Sequence, residues 1–434
     1  MSSGSTPPMA DVAPDAPTDP ADPTDPTDPT PAAPAASAAD PTPITRNGNA
    51  DGAPSGPSGV PASDPSGGSG IRWFLRLSLR PILLYLASRA GMLLVAGATS
   101  SVARQPLVKS LTPWDSTWYL TIAGSGYVRH IPPGTGIPAQ SDLGFFPLIP
   151  LLTRATHLVT GFGIPVAGLV TTFLLGLAAA VAVWWMLRDV FGQTGADRGT
   201  ALIFFSPGAL VLSLVYTEAG TILFVALALM ALKRHRWVLA GLAAAVATTA
   251  DPVGCAAIVP CIVAAVIAIR RTGEWKSLAA PLIAPLGVGT FFAYLWVHTG
   301  SPFEYFLAQR AGWQGGTYFG GIPGAIAHLV NHGFADPDYG VKAVSIVIAV
   351  GLLVVFFRAR PPATWVAYVV AVLAFGAISP IIGVTPRLAL RGFPLLGVVG
   401  AKLPGLWFEV VFGLSVLSMA ALGMMAMGGP LWTP

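Results

Sequence analysis

Eleven apolar stretches follow one another along the chain, at about 81–103, 164–187, 199–213, 218–232, 237–250, 253–269, 278–298, 342–357, 364–380, 388–402 and 405–427. Backbone in hydrocarbon must satisfy its own hydrogen bonds, so stretches this long and apolar predict an all-α polytopic transmembrane protein of about eleven spans. Only 10% of the residues are charged, against about a quarter in soluble domains. Residues 1–70 are the exception: they carry nine Asp, one basic residue (Arg46) and the repeat DPADPTDPTDPT in a Pro, Ala, Gly, Ser and Thr background. Such a stretch buries too little apolar surface to offset the entropy of ordering, which predicts a disordered tail on a membrane domain of residues 71–434.

Residues 71–434 hold 23 Lys and Arg against 11 Asp and Glu, a net charge of +12. The excess is scattered between apolar runs, which excludes a nucleic-acid surface and fits membrane topology. Arg72/Arg76/Arg80, Arg188 with Arg198, Lys233/Arg234/Arg236, Arg270/Arg271/Lys276, Arg358/Arg360 and Lys402 hold 14 of those 23 residues. With eleven spans they all fall on the side of the N-terminus, which is therefore expected to be cytoplasmic. Residues 144–161 would break this alternation by crossing, and are expected to lie along the outer interface. The segments 104–163 and 299–341 then form two outer loops, so the chemistry should face outward. Span 237–250 reaches only about 21 Å as a helix, less than the roughly 30 Å hydrocarbon core, which implies a funnel in the outer half of the bilayer.

Asp115, Glu218, Asp251, Arg387 and Arg391 gather at the outer face on this topology. In TPWDSTWYLTIAGSGY (112–127), Trp114, Trp118, Tyr119 and Tyr127 offer flat faces for sugar rings, and Asp115 is a carboxylate suited to general-base work. Thr112 and Asp115 also stand at capping-box spacing, with Trp and Tyr common at interfaces. Glu218, after Tyr216 and Thr217, either orients a substrate hydroxyl, pairs with an arginine, or favours the start of a helix through the dipole. Asp251 precedes Pro252 and fits a turn equally well. Arg387 and Arg391, four residues apart on one helical face, suit a lipid phosphate, although arginines also snorkel to headgroups. Arg89, inside the first span, either snorkels or pairs with an outer carboxylate.

His328 and His332 stand at helical metal-ligand spacing but lack a third ligand, so no metal is assigned. Cys255 and Cys261 form neither a disulfide framework nor a metal site. The glycine-rich stretch 312–324 has no nucleotide-binding signature.

WDSTWYLTIAGSGY resembles the WDxxWYxxIAxxGY signature of PIG-V-type mannosyltransferases, members of the GT-C class of multi-spanning glycosyltransferases. FFPLIPLL, SP followed by YTE, the basic-W-LAGL-AA-AT stretch and PR-L-L-R-FPL recur in the same order, over roughly residues 81–400. The resemblance implies a GT-C-like fold and inverting transfer of mannose from a polyprenyl-phosphate donor to a glycolipid or related acceptor at the outer face. It maps the general base onto Asp115, the YTE acid onto Glu218 and the donor phosphate onto Arg387, helped by Arg391. Trp114, Trp118, Tyr119, Tyr127 and Tyr216 would line the substrate site. The implied partners are the bilayer, polyprenyl-phosphate-mannose and the acceptor; no cofactor or essential metal is expected, because the leaving group is already a phosphate. One departure stands out: bacterial relatives often read TRPxG where this chain has ADPVG, so Asp251 replaces a basic residue.

Two other readings stay open. A lipid or solute transporter would show two related halves and ionisable pairs at broken helices near the midplane, and no internal repeat is visible. A catalytically inactive glycolipid-binding relative is kept open by Asp251.

Overall fold

The computed structural model describes residues 67–131, 140–313, 337–378 and 385–428, with isolated positions between 323 and 333. Residues 1–66 lie outside the described residues, as do His328 and His332. The described elements are helical. The principal ones are α1 (Gly67–Ala103), α2 (Asp115–Ser125), α3 (Leu148–Thr160), α4 (Ile164–Phe204), α5 (Glu218–Lys233), α6 (Trp237–Thr248), α7 (Ile258–Thr272), α8 (Leu286–Thr299), α9 (Pro337–Arg358), α10 (Ala363–Ile378), α11 (Pro386–Arg391), α12 (Phe393–Lys402) and α13 (Gly405–Gly428).

Six helices among the described residues are long and apolar enough to cross a membrane, and seven if the turn Pro207–Ser213 and α5 count as one span bent by 107°. The chain is a multi-pass membrane protein. The expectation of about eleven spans included shorter segments, and α6, α10 and α12 appear as short apolar helices. The predicted span 164–187 and the start of 199–213 lie in α4, which is broken at Gly192 (φ 69°, ψ −174°), a conformation open essentially to glycine alone.

Backbone approach through small residues holds the bundle together. A Cβ on Gly199 of α4 would stand 2.6 Å from the Gly397 carbonyl of α12, and one on Gly400 would stand 2.8 Å from the Arg198 carbonyl. Apolar association between helices gains little inside hydrocarbon, so this close van der Waals packing matters most there. The basic clusters meet around the break in α4. Arg80 pairs with Asp197 at 2.6 Å and Arg234 with Asp189 at 2.7 Å. Lys402 stands over the Phe191 ring at 5.3 Å, and Arg198 donates to the Leu403 carbonyl at 3.4 Å. Several basic clusters therefore share one end, as the alternation of spans required.

The predicted loop 104–163 is largely helical where it is described. α3 lies against α2 and α4, and its first residue, Leu148, donates its backbone N–H to the Thr249 carbonyl at 3.1 Å. Arg89 does not snorkel and, among the described residues, pairs with no carboxylate. It is buried and donates to the Phe204 and Ala209 carbonyls at 3.2 and 2.9 Å and to Ser213 at 2.7 Å, tying down the turn between α4 and α5. Carbonyls freed where a helix breaks need such a donor when water is excluded.

Candidate functional site

Four chain segments bring five charged side chains together at the end opposite the basic clusters. Each owes its place to a local break in helix. Asp115 opens α2 directly after Trp114, a non-glycine residue at φ 54°. Glu218 is the first residue of α5, just past the 107° bend. Asp251 caps the short turn Pro252–Ala257, with its Oδ1 accepting the Gly254 N–H at 2.7 Å. Arg387 and Arg391 lie on α11, whose start is capped by Thr385 through the Leu388 N–H at 3.3 Å.

Arg387 stands at the centre. Its Nη1 donates to Asp115 Oδ2 at 2.9 Å, its Nε donates to Glu218 Oε1, and its guanidinium lies over the Tyr216 ring at 4.6 Å from the centroid. Arg391 continues the network inward, with Nη2 at 2.9 Å from Glu218 Oε1 and 3.0 Å from Asp251 Oδ2. Thr217 and Thr221 donate to Asp251 Oδ2 at 2.7 and 3.5 Å. Three carboxylates thus face two guanidinium groups, a formal charge of −1 when all are ionised.

Exposure falls steadily inward: the Asp115 side chain is 29% exposed, Arg387 14%, Arg391 7% and Glu218 0%. Asp115 and Arg387 are therefore the most exposed members of the network. Glu218, Arg391 and Asp251 form the buried base that fixes Arg387 in place. Glu218 Oε2, Arg391 Nε, Tyr216 OH and Ser116 Oγ are buried without a protein hydrogen-bond partner among the described residues.

The aromatic residues singled out in the sequence also make contacts within the protein. Trp114 donates its indole N–H to the Ala426 carbonyl of α13 at 3.0 Å, which anchors the start of α2. Trp118 stacks on Phe145 at 5.6 Å, and Tyr119 meets the same ring edge-on at 5.3 Å. Burial, reinforced by the neighbouring Asp115, pushes the Tyr119 phenol well above its usual range. Tyr127 donates its OH to the Phe145 carbonyl at 2.9 Å, and burial raises its phenol too. The Tyr216 ring lies under the Arg387 guanidinium. Thr217 and Thr221 were missed in the sequence, where hydroxyls in an apolar run carry no distinguishing mark.

No group of three or more His, Cys, Asp or Glu suited to a metal ion occurs among the described residues. Cys255 and Cys261 are free thiols.

No protein-family profile matches the chain, and no curated protein matches it. Among solved structures it is similar to ArnT from Cupriavidus metallidurans in the apo state, at 15% identity and a TM-score of 0.47, over 82% of this chain and 65% of that one. The same protein bound to undecaprenyl phosphate matches at 15% identity and a TM-score of 0.45, over 82% and 64%. The chain thus spans somewhat less than two thirds of the length of these structures.

Proposed function

We propose that this protein is an integral membrane glycosyltransferase that transfers mannose from a polyprenyl-phosphate donor to a glycolipid or related acceptor at the outer face of the membrane. The observation that carries this reading is the Arg387 fork on Asp115 and Glu218. The motif resemblance picked out these three residues from segments far apart in sequence, and their side chains are in direct contact.

In the mechanism the donor phosphate takes Arg387 from Asp115. Arg387 gains a phosphate oxygen, for which its planar fork is well suited, and the Asp115 carboxylate is released as a base beside the reacting centre. The acceptor hydroxyl oxygen attacks the anomeric carbon from the face opposite the phosphate. Its proton passes to Asp115 as the anomeric C–O bond to phosphate breaks, and the electron pair leaves on polyprenyl phosphate, held by Arg387 with Arg391 behind it. The product is inverted at the anomeric carbon. Glu218, Arg391 and Asp251 keep Arg387 aimed throughout, while the unpartnered Tyr216 and Ser116 hydroxyls suit a polyhydroxylated ligand. In this reading Asp251 is a positioning residue: its oxygens are committed to Gly254, Thr217 and Arg391, so the departure from the family pattern changes how α11 is held.

The test uses purified full-length protein in lipid with radiolabelled polyprenyl-phosphate-mannose and total membrane lipid as acceptor pool. Wild type is expected to label a lipid product, and Asp115→Asn to lower the rate about 100-fold or more, the range of a positioned general base. Equal transfer by both would remove Asp115 as the base. No transfer by wild type with any acceptor pool would favour the transporter or inactive reading.

A further inference from the structure

The basic end of the bundle carries a groove that the proposed reaction does not use. α6 and the short helix Ala279–Ile283 touch at Gly241, where a Cβ would stand 2.8 Å from Ile283 Cβ and 3.0 Å from the Ala280 carbonyl oxygen. Toward the start of α6 the two part, leaving a groove of about 560 Å³ lined by Arg236, Trp237, Val238, Leu239, Lys276 and Ala279. Its walls are almost wholly apolar, and Leu242 and Leu282, both exposed, continue apolar surface alongside the Gly241 contact.

Charge is arranged at this groove rather than spread over it. Arg236 and Lys276 are exposed, and neither forms an ion pair among the described residues. The neighbouring carboxylate, Glu274, feels the charge of Lys276 but spends its oxygens on Trp237 Nε1 at 2.7 Å and His235 Nδ1 at 3.0 Å. Two cations thus stand over an apolar trough, the complement of a phosphate with an acyl chain attached. A zwitterionic lipid would bring its own ammonium to the same cations. The length of α6 adds to the argument: its twelve residues rise about 18 Å, well short of a roughly 30 Å hydrocarbon core, so headgroups are drawn inward beside it.

We propose that this groove binds one anionic phospholipid, with its phosphate between Arg236 and Lys276 and one acyl chain along Val238, Leu239 and Ala279. The proposal is independent of the transfer reaction and stands or falls separately from it. The test is native mass spectrometry of the full-length protein in detergent, titrated with phosphatidylglycerol or with phosphatidylcholine of the same chains. Wild type is expected to retain one phosphatidylglycerol in preference to phosphatidylcholine. Arg236→Gln with Lys276→Gln should weaken that retention about 30-fold, taking about fivefold for each basic residue. Ala279→Trp, which fills the trough and leaves the charges, should also abolish it, whereas Arg270→Gln with Arg271→Gln should not. The thermal midpoint in detergent identifies any variant that fails to fold, and the surface glutamine pair carries the test if Ala279→Trp does. Equal retention of both lipids by wild type, an equal loss in the Arg270/Arg271 variant, or displacement of the lipid by millimolar inorganic phosphate would overturn the proposal.

Discussion

Arg387 is the residue on which the site turns, because it is the sole described cation in contact with both Asp115 and Glu218. Replacing it with alanine leaves Glu218, wholly buried, with Arg391 as its remaining partner. The expected cost is about 3 kcal/mol, since removing one member of a buried ion pair strands the other charge. Adding Glu218→Gln to Arg387→Ala should recover part of that loss, and thermal unfolding of the four proteins in detergent reads the coupling. If the double variant melts below Arg387→Ala, the pair is not held as described. At this scale the sequence was informative about chemistry and silent about direction. Asp115, Glu218, Asp251, Arg387 and Arg391 were singled out because charge in an apolar setting is costly and so seldom incidental. Trp114 offered a flat face in sequence, but that its indole N–H donates to the Ala426 carbonyl could not be read there, because the partner lies on a helix more than 300 residues away.

The elements matter through their breaks. The turn after Ser206 passes so close to α11 that a Cβ on Gly208 would lie 2.1 Å from the Pro386 carbonyl oxygen. Gly208→Ala should therefore push α11 outward, costing about 1–3 kcal/mol as overpacking does. It should also weaken donor retention, because Arg387 follows Pro386 directly. An unchanged melting midpoint together with unchanged donor binding would contradict this contact. A second break, between α7 and the next helix, is tied by Glu274 to Trp237 and His235. The indole and imidazole hydrogen bonds hold the Glu274 carboxyl below its usual range. Its folded pKa lies below the unfolded one, so its contribution is full above the ordinary glutamate range of about 4.3 and is lost as pH falls through the lower folded value. Amide exchange at the start of α6 should therefore quicken at acid pH in wild type, and Glu274→Gln should remove that dependence. The sequence marked Asp251 and Pro252 as a turn and Gly192 not at all, since one glycine among 49 has no local sign of a positive φ.

For the whole molecule, the proposal drawn from the Lys and Arg bias is that the N-terminal tail lies in the cytoplasm and the charged site outside. With Cys255 and Cys261 replaced by Ser, a cysteine at Ser37 should be labelled by a membrane-impermeant maleimide only after the cells are opened, and one at Ser301 in intact cells. The reverse pattern would invert the orientation and place the site inside. Hydropathy alone was enough to establish an all-helical membrane protein, because hydrocarbon leaves the backbone one means of satisfying its hydrogen bonds and that requirement is written residue by residue. The shared end of the basic clusters was legible as well, since alternation follows from counting spans. What the tertiary structure alone decided is which side chains meet. Asp115 and Arg387 are 272 residues apart, and their contact depends on the bend before α5, the cap at Asp251 and the glycine contact at Pro386, none of which leaves a periodic trace in sequence.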